Sequence, residues 1–141
     1  MPFIRVWVHL IWSTKNREKS ISSSLKAKLI EHIKSNVEKK KLWLDSLNCT
    51  DDHIHLLVSL NAEDTISKVV MLLKGESSHW VNQNKLIPNK FEWQDEYIAI
   101  SVSESIVENV RKYISSQEEH HKKKSFTDEY EEFMKKFGYR T

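Results

Sequence analysis

The chain has 141 residues, 22 Lys and Arg against 20 Asp and Glu, a net charge of +2 and a single cysteine. That length suits one domain, spanning 1–141, with its own apolar core, and the lone Cys49 excludes a disulfide framework and favours a reducing compartment, the cytoplasm. No run approaches the roughly 20 apolar residues of a membrane span, and the first residues lead straight into an alternating segment, so neither membrane insertion nor export is expected.

From Phe3 to Ser13 the side chains alternate, which predicts a central strand. Ile4, Val6, Val8, Leu10 and Trp12 form one apolar face; the other carries Arg5, Trp7 and His9, a mixture suited to a ligand. Thr14 to Ser20 breaks the pattern and places Lys15 and Arg17 in a polar loop, as candidate phosphate contacts. Ser22 or Ser23 caps a helix reaching about Lys40, with Leu25, Leu29, Ile33 and Val37 at four-residue spacing. Leu42 to Asn48 reads as a strand hairpinned to the next through a turn at Cys49 to Asp52.

The next strand, His53 to Leu60, carries the strongest chemical signal. Ile54, Leu56, Val58 and Leu60 point to one face, leaving His53 and His55 together on the other. Imidazoles one strand repeat apart, about 6 to 7 Å, can converge on one divalent ion. Asp64 or Thr65 then caps a helix to about Asn84, with Ile66, Val69, Val70, Leu73 and Trp80 on its buried side and Lys74, Ser77, Ser78 and His79 on its polar side. Gly75 interrupts it. Phe91 to Gln94 and Tyr97 to Ser103 follow as short strands.

The order β-α-β-β-α-β is the split pattern of a ferredoxin-like (RRM-like) α+β sandwich, with helices on one face of an antiparallel sheet. The histidine pair is then expected on the open face or its rim. After Ser103 comes a helix over Glu104 to Lys124, with Ile106, Val107, Val110 and Ile114 as its packing stripe. Tyr113 and Gln117 lie four residues apart at the edge of that stripe, stacked on one side of the helix. A short C-terminal helix, Ser125 to Gly138, presents Tyr130, Phe133, Met134 and Phe137 to something that must cover them.

Taken together, Val8-His9-Leu10-Ile11-Trp12-Ser13-Thr14-Lys15, Asp52-His53-Ile54-His55-Leu56-Leu57-Val58, Phe91-Glu92-Trp93-Gln94 and the run Tyr113 to His121 resemble the small HUH transposases with a single tyrosine, which move insertion sequences as single-stranded DNA. The resemblance covers essentially the whole chain in the right order. It implies a divalent metal on His53 and His55, a nucleophile at Tyr113, Gln117 completing the metal site, and a homodimer in which the tyrosine helix of one subunit can serve the other. Cleavage of an anionic phosphodiester calls for a Lewis acid, and a mixed set of two nitrogens and one oxygen suits Mg²⁺ or Mn²⁺. Trp7, Lys15, Arg17, His120, His121 and Lys122 are the candidate contacts to single-stranded DNA, which the resemblance implies carries hairpins. Two other readings fit: a related HUH nuclease with a replication or domesticated repeat-processing role, or a ferredoxin-like nucleic-acid-binding module without catalysis, its histidines structural.

Overall fold

A computed structural model describes residues 2–117, 128, 131 and 132. Strands β1 (Trp7–Ser13), β2 (Trp43–Cys49), β3 (His53–Ser59) and β4 (Ile98–Val102) form one antiparallel sheet in the order β2-β3-β1-β4. Helices α1 (Ser23–Lys39), α2 (Ile66–Gln83) and α3 (Val107–Ser115) complete the described fold. This is the expected α+β, ferredoxin-like arrangement.

Local chemistry sets the helix starts. Ser22 Oγ accepts from the Leu25 amide at 3.1 Å and Thr65 Oγ1 from the Lys68 amide at 3.2 Å, each satisfying one orphan donor of the first turn. The four-residue stripe Leu25, Leu29, Ile33, Val37 is buried as its spacing requires, and it meets Val69, Val70 and Leu73 of α2 over the sheet face formed by Val8, Leu10, Trp12, Ile54, Leu56 and Val58. Burying a side chain as large as Leu29 in this layer contributes about 2 kcal/mol.

The opposite sheet face is not open. Trp7, Leu57 and Val102 pack against Val107 and Ile114 of α3, with Val110 and Tyr113 beside them, so the sheet is covered on both sides. His53 and His55, expected on an exposed face, are fully buried beneath that roof. The physical reason is the apolar stripe of α3 itself, which needs a surface to cover and finds one in Trp7 and Leu57.

Four other expectations change. The first strand begins at Trp7, and Phe3 is 84% exposed. Phe91 to Gln94 makes only one bridge, Thr14 to Trp93; its Phe91 and Trp93 rings instead plug the core, where Trp93 Nε1 donates to Ser77 Oγ at 2.9 Å. That bond also explains why Ser77 is buried rather than on a polar side. The last helix starts as a 3₁₀ turn, Glu104–Ile106, and α3 ends at Ser115. Residues 118–124, and nearly all of the expected C-terminal helix, lie outside the described residues.

Strand β2 holds one device that alternation alone does not reveal. Its register against β3 shifts between Leu44 and Ser46, so Asp45 is an extra residue. The bulge keeps both Leu44 and Leu47 with the main core, and it turns Ser46 and Asn48 toward the face that α3 covers.

Candidate active site

The turn before β3 orients the first histidine. Nδ1 of His53 lies 2.8 Å from Asp52 Oδ1 and 2.8 Å from Thr50 Oγ1. A carboxylate only accepts, so Nδ1 carries a proton, and in the neutral ring Nε2 keeps its lone pair. That Nε2 faces Gln117 Oε1 at 3.4 Å, while Gln117 Nε2 donates to the Tyr113 carbonyl at 3.3 Å and so fixes which end of the amide looks at the histidine.

His55 is oriented from the neighbouring strand. Its Nδ1 shares a hydrogen bond of 3.0 Å with His9 Nε2, one ring donating to the other. The His53 and His55 rings stand 5.1 Å apart, nearly edge to face. Tyr113 closes the group, its ring centroid 5.7 Å from His55 and 6.2 Å from His9. The structure therefore brings His53, His55, Tyr113 and Gln117 of one chain to a single place.

This donor set fits a divalent ion. With the His53 ring neutral, its Nε2 and Gln117 Oε1 are two lone-pair atoms facing each other in a buried site, and a cation held by both would relieve their repulsion. With Nδ1 of His55 engaged by His9, Nε2 is the nitrogen through which His55 would add a third donor. Among the described residues no three His, Cys, Asp or Glu side chains cluster as a metal site; the third candidate donor beside the two histidines is an amide oxygen.

Helix α3 is held over the sheet by polar ties as well as by its apolar stripe. Arg111 donates twice to Asp45, Nε to Oδ2 at 2.8 Å and Nη2 to Oδ1 at 2.7 Å, and once to Glu108. Asn48 Nδ2 donates to the Ile114 carbonyl at 2.9 Å. The bulge in β2 is what aims both anchors. The Arg111 fork also keeps the Asp45 carboxyl below its ordinary range.

The expected DNA contacts fare unevenly. Trp7 is only 4% exposed and packs under α3, its Nε1 donating to Glu104, so its ring is not presented for base stacking. Lys15 and Arg17 are exposed, at the mouth of a cavity beside the sheet end that carries His53. His120, His121 and Lys122 lie outside the described residues. His9, Thr50, Asp52, Asp45, Arg111 and Asn48 emerge as supports that sequence reasoning did not assign. His9 stood on the mixed face of the first strand and Asp52 beside the His-x-His pair; Thr50 acts through the local turn before β3, while Asp45, Asn48 and Arg111 depend on register and the bulge.

A ferredoxin-like sheet whose His-x-His strand meets a tyrosine from a covering helix and a glutamine just past its end defines the class, an HUH transposase with a single tyrosine. The family model described as "Transposase IS200 like" matches residues 3–117, and the chain belongs to that family. It is 28% identical to the ISDra2 transposase TnpA of Deinococcus radiodurans over 115 residues, 77% of this chain and 81% of that protein. Among solved structures it resembles a proposed transposase of Deinococcus radiodurans, with a TM-score of 0.66 and 25% identity over 82% of this chain and 93% of that one. It also resembles a REP-associated tyrosine transposase bound to a REP hairpin, with a TM-score of 0.65 and 13% identity over 86% of this chain and 71% of that one. The protein is thus a DNA-processing enzyme of the transposase class, and none of its described helices is long and apolar enough to cross a membrane.

Proposed function

We propose that this transposase cleaves and rejoins single-stranded DNA at insertion-sequence ends through a 5′-phosphotyrosine on Tyr113, with Mg²⁺ or Mn²⁺ held by His53, His55 and Gln117. The observation that carries this reading is the meeting of Gln117 Oε1 with His53 Nε2 one helical turn from the Tyr113 ring, which itself lies against His55. Helix α3 and the turn that follows it thereby bring nucleophile and ligand to the same phosphate.

Tyr113 Oη forms a bond to phosphorus and the bond from phosphorus to the 3′ oxygen breaks. The phenol loses its proton and the departing 3′ oxygen gains one. When bound, the ion withdraws charge from a nonbridging phosphate oxygen and favours the phenolate. The chain's own part is orientation. Asp52 and Thr50 hold the His53 tautomer, His9 holds His55, and the Gln117 amide is locked by the Tyr113 carbonyl. The phosphotyrosine conserves the bond energy, so attack by a second 3′-hydroxyl rejoins DNA without a nucleotide cofactor.

Lys15 and Arg17 are the proposed backbone contacts of this substrate, joined by His120, His121 and Lys122 on sequence grounds. Hairpin-bearing DNA is the preferred substrate in this reading; the REP-associated relative, bound to a hairpin, supports it. A two-fold homodimer acting in the cytoplasm completes the proposal.

The test is incubation of the protein with hairpin-containing single-stranded DNA and Mg²⁺ or Mn²⁺, followed by denaturing electrophoresis. A covalent adduct, mapped by peptide sequencing to Tyr113, is expected. An adduct on Tyr97, Tyr130 or Tyr139 removes the active-site reading, and no adduct on any cleavable DNA removes the enzyme mechanism.

A further inference from the structure

Strand β2 is one edge of the sheet, and a groove of about 540 Å³ runs between it and the last turns of α1. One wall carries Lys34, Val37 and Glu38, and the other is the run from Leu42 to Leu47. Leu42, Leu44 and Leu47 are half-buried, packed against the main core, and Trp43 beside them is 59% exposed. An apolar groove along an edge strand is a surface that proteins ordinarily cover, because the strand edge offers free backbone groups to any other strand.

The end of the chain has the opposite need. Tyr130, Phe133, Met134 and Phe137 recur at helical spacing and form one apolar stripe. Asp128, Glu131 and Glu132, on the other side of that spacing, are helical and exposed. Glu129 and Glu131 fall on either flank of the stripe.

Length and charge fit the two together. Asn48 donates to the carbonyls of Ile114 and Ser115, so the chain leaves α3 at the Cys49 end of β2. From Asn48 back to Trp43 is about 17 Å at the rise of a strand. Residues 118–124 reach about 24 Å when extended, enough to bring the acidic run Asp128 to Glu132 to the other end of the groove. That end is closed by Lys39, Lys40 and Lys41, all exposed, which join α1 to β2, and Lys34 stands on the wall nearby. Of the two acids on the groove walls, Asp45 is already bound to Arg111, which leaves Glu38 against four lysines. A helix over residues 125–137 is about 20 Å long, close to the 23 Å or so of a seven-residue strand.

We propose that residues 125–137 dock in this groove of their own chain, the stripe of Tyr130, Phe133, Met134 and Phe137 on Leu42, Leu44 and Leu47 and the flanking glutamates on the lysines of the α1 end. The docked segment covers the edge of β2 and closes the sheet on that side. Because Asp45 both lines the groove and anchors Arg111, the same segment covers the clasp that seats the tyrosine-bearing helix. The proposal is independent of which residue attacks DNA.

The test uses the full chain with paired cysteines and mild oxidation by diamide. Cys49 stays out of the reaction, since it is fully buried and burial pushes its thiol up to about 12. Ser35→Cys, at an exposed position on the α1 wall, is combined in turn with Tyr130→Cys, Phe133→Cys and Phe137→Cys, and with Glu132→Cys as the control on the opposite side. At least one stripe position should form a disulfide within one chain at about ten times the yield of the control, because the bond needs Cα atoms within about 7 Å. Mixing isotopically light and heavy protein separates links within a chain from links between chains by mass. Independently, the double variant Phe133→Ser with Phe137→Ser should speed amide exchange along the outer edge of β2 by about tenfold and leave β1 and β3 unchanged. No disulfide above the control, links between chains only, which would assign the groove to a second copy, or unchanged β2 exchange in the serine variant overturns the proposal.

Discussion

Gln117 Oε1 lies 3.4 Å from His53 Nε2, although 64 positions separate the two residues. The contact exists because α3 lies across the sheet, and its position is fixed by Asn48 and by the Arg111 fork on Asp45. Gln117→Ala should therefore weaken Mn²⁺ binding, by about 10- to 100-fold, as losses around a metal site do. Titration of Mn²⁺ against adduct yield checks it: the variant should recover adduct at high Mn²⁺. An unchanged titration curve would mean that Gln117 is not a ligand.

Tyr113→Phe tests the proposed nucleophile. The ring packs beside Trp7, Leu57 and Ile114, and Phe keeps that packing while removing only the hydroxyl oxygen. The expected outcome is complete loss of the adduct, with DNA affinity in EDTA and melting temperature close to wild type. Tyr97→Phe, on a residue 38% exposed and outside this cluster, serves as control and should retain full adduct yield.

Periodicity made most of this fold legible. Alternation located the strands and the His53 and His55 pairing, while the spacing Leu25, Leu29, Ile33, Val37 located α1 and its buried side. The β-α-β-β-α-β order then led to the right sheet. Periodicity assigns residues to a face without saying what covers that face, so the histidine face was expected open where α3 in fact roofs it. Phe91 to Gln94 shows a second limit, since aromatic residues suit a strand and a core plug equally well. In the site, Tyr113 and Gln117 were legible from four-residue spacing together with family resemblance. The roles of His9 and Asp45 were not, because one follows from sheet register and the other from a bulge.

Burial of the histidines changes what their removal does. His53→Ala on an exposed face would leave the fold untouched, whereas here it opens a cavity at a fully buried position and strips Asp52 of a partner 2.8 Å away. We expect destabilisation of about 2 to 4 kcal/mol, measured by urea unfolding, in addition to loss of metal-dependent cleavage. Wild-type stability in this variant would contradict the buried geometry.

The clasp on α3 has a defined pH dependence. The Arg111 hydrogen bonds hold the Asp45 carboxyl below its ordinary 3.8, the largest cause, against a smaller opposing effect of burial. A carboxyl depressed on folding contributes stability that is fully present above its unfolded value and is lost as pH falls through the folded value. Between pH 5 and 7 the pair should therefore add no slope, and below about pH 4 it should add to acid destabilisation. Melting temperatures of wild type and Asp45→Asn are expected to converge as pH falls through that acid range. A difference that stays constant down to the acid transition would show that the carboxylate charge is not what holds the helix.

Gly75 offers the opposite kind of change. It lies on the exposed side of α2, and a Cβ built there meets nothing within 4 Å. The helix pays for glycine's backbone freedom at this position without using it, since its backbone lies in an ordinary helical segment. Gly75→Ala should raise stability by about 0.5 to 1 kcal/mol, mainly by restricting the unfolded chain. The site provides the control, because Lys74, on the same helix, keeps its bonds to the carbonyls of Gln94 and Asp95 in the variant. Thermal unfolding should shift upward while DNA binding and adduct yield stay at wild-type levels. A stable variant with reduced DNA binding would show instead that the face around Gly75 meets DNA or a second subunit and needs the space a methyl group takes.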